Sequence, residues 1–398
     1  MTRNFFKAIL MMLFLRIGTT SVRLTATLDA IAAGAQTFEI GTMLAMVGLV
    51  PALFALSAGR TLDRIGPRLP TQIALVSMVL AGLISWLMPT TEFGLWPLFV
   101  ACFLVGTGMM LSTTVIQRLT GDLNSAENRT QAFTVLSITG SLAGTLTPIV
   151  VGYIVENQNF NRIYSTVLLV GIGAFMLLFT QAFEVIYPKT KARAIQPCNK
   201  ANRMTDFFKI HGLRAVIIVS VMISVAWDVS NLLIPVYASD IGLGASEIGW
   251  ILGSFSAATF AVRVIIPFLQ KRMKNWTLII VTLSVSAFAF FLFPFFNSLS
   301  SLMIIAFLMG MGLGGAFPNI MAILYKLAPQ GRIGEAIGLR LMMMNASKAV
   351  FPIAAGALGS LLGVGVAMLG LSAMLGLGSA YALKSEKAID KDLSRAQR

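Results

Sequence analysis

Twelve apolar stretches of about twenty residues each, bounded by charges, glycine or proline, fill almost the whole of this 398-residue chain. They fall near residues 7–31, 39–58, 70–90, 95–118, 131–155, 163–186, 213–238, 246–269, 276–296, 300–325, 334–360 and 362–383. A segment of that length spans the hydrocarbon core of a bilayer as a helix. Irregular backbone is excluded there because its polar groups would go unpaired. The fold class is therefore all-α membrane protein, with twelve transmembrane helices and no room for a soluble catalytic domain. Composition agrees: 57% of residues are hydrophobic and 12% charged, against about a quarter charged in soluble domains. The first stretch has the outline of a secretory leader, but Arg16 and Arg23 interrupt its apolar run, so it reads as the first span.

The net charge of +14 is first a topology signal, because helical membrane proteins concentrate Lys and Arg in cytoplasmic segments. With the N-terminus inside, 24 of the 30 Lys and Arg fall on cytoplasmic segments, five within spans and one, Arg162, outside. That bias predicts both termini in the cytoplasm and gives no footprint for nucleic acid. The longest connection, 188–212, is rich in Lys and Arg and divides the chain into halves at 1–187 and 213–398. Cys102, Cys198 and a single histidine, His211, offer no disulfide framework, metal site or histidine triad. No cofactor is expected.

The halves share an internal repeat. Glu39-Ile40-Gly41 and Glu247-Ile248-Gly249 open the second and eighth spans at an offset of 208, which Arg64 and Arg272 keep. Pro148-Ile149-x-x-Gly152 and Pro352-Ile353-x-x-Gly356 match at an offset of 204 in the fifth and eleventh. Transporters built from two parallel halves bind substrate near the midplane between them.

The loop after the second span, Gly59-Arg60-Thr61-Leu62-Asp63-Arg64-Ile65-Gly66-Pro67-Arg68, resembles the signature G-x-x-x-D-R-x-G-R-R of the major facilitator superfamily, with Pro67 in place of one basic residue. The resemblance covers essentially the whole chain. It implies two pseudo-symmetric six-helix bundles, a working monomer, alternating access, and a gating role for Gly59, Asp63, Arg64, Gly66 and Arg68. The other reading of this loop is a positively charged anchor with a glycine turn. The fourth span keeps the family's glycines at Gly106 and Gly108 but lacks the Arg ahead of them. The fifth carries Gly140-x3-Gly144-x3-Pro148-x3-Gly152, similar to the Gly-Pro motif of the family's drug:proton antiporters, which tilts the reading toward export. Small residues at this spacing also let helices pack closely in lipid, the reading preferred for Gly140, Gly144 and the Gly310 to Gly315 cluster.

Charges inside spans carry the chemistry, since each costs roughly 2.5–3.5 kcal/mol at a helix centre on insertion scales. Arg16, Arg23, Arg263, Arg340 and Lys348 are set against one acid of comparable depth, Asp228. Arg16, Thr19, Thr20, Arg23 and Thr27 form one polar stripe on the first span; Ser220, Ser224, Asp228 and Asn231 form another on the seventh. The resemblance puts both stripes on the substrate path.

Guanidinium groups with hydroxyls between them suit carboxylate or phosphate. The expected activity is proton-coupled movement of a small or medium organic anion across a bacterial inner membrane, and no enzyme chemistry. Substrate contacts are expected from Arg16, Thr20, Arg23, Asn231, Arg263, Arg340 and Lys348, and proton coupling from Asp228. The bland alternatives are snorkelling cations and an ion pair of Asp228 with one of the arginines. Rival functions are an amphiphile:proton antiporter, favoured by Trp227, the Met342 to Met344 run and nearby phenylalanines, and a non-transporting receptor.

Overall fold

The computed structural model describes residues 3–65, 68–122, 129–158, 160, 163–164, 210–327 and 333–396. Before the long connection the helices are α1 (Arg3–Ala32), α2 (Thr37–Ile65), α3 (Arg68–Leu87), α4 (Trp96–Asp122) and α5 (Arg129–Gln158). After it come α6 (His211–Asp240), α7 (Ala245–Leu269), α8 (Asn275–Leu292), α9 (Leu299–Leu327), α10 (Ile333–Leu362) and α11 (Val364–Ala396). Ten of these helices are long and apolar enough to cross a membrane. Apart from residues 163–164, the expected sixth span lies outside the described residues, as does the connection through 209. Helix α6 is therefore the seventh expected span.

Two helices outrun their apolar stretches. Helix α2 continues to Ile65 and α11 to Ala396, because the backbone ladder needs no apolar side chain and Lys, Glu, Arg and Ala are good helix formers. The C-terminal tail is thus a helical extension of the last span.

The repeat is visible in how helices end and begin. Gly34 and Gly242, 208 residues apart, both have positive φ (76° and 86°) just past α1 and α6. In each case the next residue's N–H closes back on the last turn, Ala35 to the Ala30 carbonyl and Leu243 to the Ala238 carbonyl, both at 2.9 Å. This glycine-terminated ending satisfies carbonyls that would otherwise be orphaned. Two residues past each glycine, Gln36 and Gly244 donate their N–H groups to Glu39 and Glu247, each at 2.8 Å. The carboxylate of the Glu-Ile-Gly triplet therefore caps its own helix.

Within the first half α1 packs on α4 and α5, and α4 also on α2 and α3. The second half repeats this plan: α6 packs on α9 and α10, and α9 on α7 and α8. The halves meet through two equivalent helix pairs, α2 with α10 and α5 with α7.

Candidate functional site

At one end of the molecule both inter-half pairs are closed to backbone contact. A Cβ on Gly41 would collide with the Pro352 carbonyl oxygen, and one on Gly249 with the equivalent Pro148 carbonyl. A Cβ on Gly356 would lie 2.7 Å from the Thr37 carbonyl, and one on Gly152 would strike that of Ala245. Two hydrogen bonds cross the same seams, Phe38 N–H to Ser360 Oγ at 2.8 Å and Ser246 N–H to Glu156 Oε2 at 2.7 Å. The residues that define the repeat are those that build this two-fold clamp.

The α5–α7 seam loosens along its length. Backbone meets backbone at Gly152, while at Gly144 the nearest neighbour of a Cβ is the Ser256 hydroxyl at 3.3 Å. At Ser141 the gap is crossed by the long side chain of Arg263, whose Nη1 donates to Ser141 Oγ at 2.6 Å. A Cβ on Gly140 would meet nothing within 4 Å. Close packing thus explains Gly144, Gly152 and the Gly310 to Gly315 cluster, where Cβ atoms would press on Phe255, Ser286 and Thr259. It does not explain Gly140, where the packing expectation is corrected.

Arg16 and Arg23 lie half-buried on α1. Thr19 and Thr27 donate back to the carbonyls of Arg16 and Arg23 at 3.2 and 3.0 Å, so those hydroxyls serve their own helix. Thr20 is half-buried beside them. Arg16 sits within Coulombic reach of Arg23, and Arg263 within reach of Arg16. Arg263 thus comes near the α1 cations from the second half. No carboxylate lies within ion-pair distance of Arg16 or Arg23 among the described residues, and the buried Nε of Arg23 has no hydrogen-bond partner there.

Asp228 and its surroundings depart from the sequence reading. Its partner is Lys348 on α10, not an arginine: Lys348 Nζ stands 4.0 Å from Asp228 Oδ2. That oxygen is buried and has no hydrogen bond, so the pair is held by charge alone. The main chain of Lys348 lies against α2, where a Cβ on Gly48 would be 2.6 Å from its carbonyl carbon. Asn231 donates to the Trp227 carbonyl at 2.8 Å, and Trp227 meets Phe255 edge-on with centroids 5.2 Å apart.

Arg340 is only 3% exposed and is held by three neighbours. Its Nε donates to Ser220 Oγ at 3.0 Å, Nη1 faces Met321 Sδ at 3.8 Å, and the guanidinium lies 5.4 Å from the Phe317 ring centroid. Ser220 in turn donates to the Val216 carbonyl at 2.7 Å. This arginine binds α10 to α6 and α9.

Asp228 is not alone among buried acids. Asp29, near the end of α1 and 7% exposed, accepts hydroxyls from Thr90 at 2.9 Å and Tyr164 at 3.1 Å. Its signal was an acid inside the first apolar stretch. Of the loop residues, Gly59, Asp63 and Arg64 fall in the last two turns of α2, Arg68 opens α3 and is exposed, and Gly66 lies outside the described residues. The side-chain positions of Asp63 and Arg64 also lie outside them.

A bundle of spanning helices in two equivalent halves, clamped together at one end and carrying buried and half-buried charges within its helices, fits the class of multi-pass membrane transporter. The Major Facilitator Superfamily model matches residues 8–210 and 215–397, and the chain belongs to that family. No curated protein matches it in sequence. Among solved structures it resembles a POT family transporter in complex with a thioalcohol-conjugated peptide, with TM-score 0.77 and 12% identity over 97% of this chain and 96% of that one. It also resembles a D-xylose-proton symporter, with TM-score 0.74 and 14% identity over 95% and 96%. The inward-open xylose transporter XylE from E. coli gives TM-score 0.69 and 15% identity over 96% and 95%. At these identities the likeness is one of fold.

Proposed function

We propose that this transporter carries a small or medium organic anion across a bacterial inner membrane by alternating access, coupled to protons through Asp228. The observation that carries the reading is the pair Arg16 and Arg23 on α1, like charges with no carboxylate partner among the described residues, while Asp228 is already answered by Lys348. A cluster of like charges in a low-dielectric interior needs an anion or water. A carboxylate or phosphate accepts the planar, two-pronged hydrogen bonding of guanidinium. Arg340 is set apart from the proposed substrate contacts, because it is 3% exposed and its Nε and Nη1 face Ser220 and Met321.

In this scheme the charge bias puts both termini in the cytoplasm, so the clamped seam faces outward and the substrate exchanges with the inside. Protonation of Asp228 frees Lys348 to meet the anion, and release of the anion lets the pair reform. Export is the preferred direction, on the fifth-span motif. The edge-on pair of Trp227 and Phe255 beside Asp228 favours a second reading, in which the cargo is an amphiphile exchanged for protons.

Thermal unfolding of the detergent-purified protein separates the two, since a ligand that prefers the folded state raises its stability. Di- and tricarboxylates, aromatic acids and phosphorylated metabolites should raise the Tm, and Arg16→Ala should abolish the rise. Stabilisation by lipophilic cations alone would instead establish the amphiphile reading.

A further inference from the structure

Helix α11 leaves the span as a two-sided rod. Lys384, Lys387 and Lys391 recur at steps of three and four and are all exposed, so they share one face. The other side is docked on the protein. Glu386 accepts the Thr277 hydroxyl at 3.1 Å, Asp390 pairs with Lys274 at 2.7 Å, and Asp392 accepts the Gly212 N–H at 3.0 Å. Ala382 and Ile389 are fully buried on that inner side. The acids are consumed by contacts within the second half, and the lysines are left pointing away from it.

Two further cations follow α7, just ahead of the Lys274 that pairs with Asp390. Lys271 and Arg272 are exposed, and Lys271 Nζ lies 5.8 Å from the Phe268 ring centroid. Phe268 is 66% exposed and Leu383, next to Lys384, is 55% exposed. The tail lysines are therefore bordered by an exposed apolar side chain, Leu383, and Lys271 by another, Phe268. A soluble anion would use only the cations, whereas a phospholipid offers both an anionic headgroup and acyl chains.

We propose that this face binds anionic phospholipid headgroups, with Lys384, Lys387 and Lys391 as the principal contacts and Leu383 against the acyl chains. The lipid braces the tail helix from the side opposite its carboxylate latch. The proposal is independent of the cargo.

Thermal unfolding of the full chain in micelles doped with phosphatidylglycerol or phosphatidylcholine tests it, with native mass spectrometry counting lipids bound to the folded protein. Phosphatidylglycerol should raise the Tm by several degrees over phosphatidylcholine, and high salt should cancel the difference. The triple variant Lys384→Gln, Lys387→Gln, Lys391→Gln should lose at least half of that increment and bind fewer phosphatidylglycerol molecules, while the corresponding Arg triple keeps both. Equal stabilisation by the two lipids, an equal rise with inorganic phosphate alone, or unchanged phosphatidylglycerol binding by the Gln triple would each overturn it.

Discussion

At the scale of single residues, the interior charges divide by their partners. Arg340 donates to Ser220 and stacks near Phe317, so Arg340→Ala should cost about 1–3 kcal/mol of stability, the usual range for breaking a buried polar contact. Anion binding should survive that change, whereas Arg16→Ala should spare stability and abolish anion stabilisation; parallel unfolding curves with and without ligand read both effects. Asp228 and Lys348 stand 4.0 Å apart without a hydrogen bond. Asp228→Asn should leave Lys348 unanswered and remove the proton dependence of flux in proteoliposomes, and adding Lys348→Met should recover stability but not coupling. Unchanged proton-driven flux in Asp228→Asn would remove this residue from the mechanism. Helical spacing was enough to put Arg340 and Lys348 on one face of their span, but not to reveal that one is tied down by a serine and a methionine while the other faces a carboxylate. The serine and the carboxylate each lie 120 residues away, and only packing chooses them.

Between helices, the clamp makes symmetric demands. The Cβ of Gly41→Val or Gly249→Val would enter space held by the Pro352 or Pro148 carbonyl, and backbone cannot yield as a flexible side chain does. Either variant should push the closed end apart, seen as longer distances between spin labels at Gln36 and Leu361. An unaltered distance distribution in both would mean that the seam does not depend on these glycines. The two crossing hydrogen bonds are equivalent in place but differ in chemistry, Ser360 on one side and Glu156 on the other. Glu156→Gln keeps an acceptor for the Ser246 N–H, so it should loosen the end less than Glu156→Ala. The tail has its own pH dependence. The hydrogen bond from Lys274 to Asp390, with the attraction of that carboxylate, raises the lysine's pKa. A raised value favours the latched form below the lysine's unfolded pKa, and the benefit disappears as pH climbs through the folded one. Trypsin cleavage at Lys391 should accelerate on the alkaline side, and Asp390→Asn should bring that acceleration to neutral pH.

For the whole molecule, the halves touch mainly through two helix pairs among the described residues, and the boundary expected at 188–212 is open to a direct test. Fragments 1–187 and 213–398 expressed together should therefore co-purify and unfold as one species; fragments that never associate would place the boundary elsewhere. The sequence by itself determined the class of fold, because a bilayer leaves apolar twenty-residue segments no alternative to spanning helices. It also exposed the repeat, because the capping glutamates and crossing glycines of both halves have to occupy matching positions. Only the tertiary structure decided what the repeat does and which charges are spoken for. Local rules act within a turn or two of helix, whereas the contacts of Gly41 with Pro352, Arg263 with Ser141 and Lys348 with Asp228 exist only once distant helices have come together.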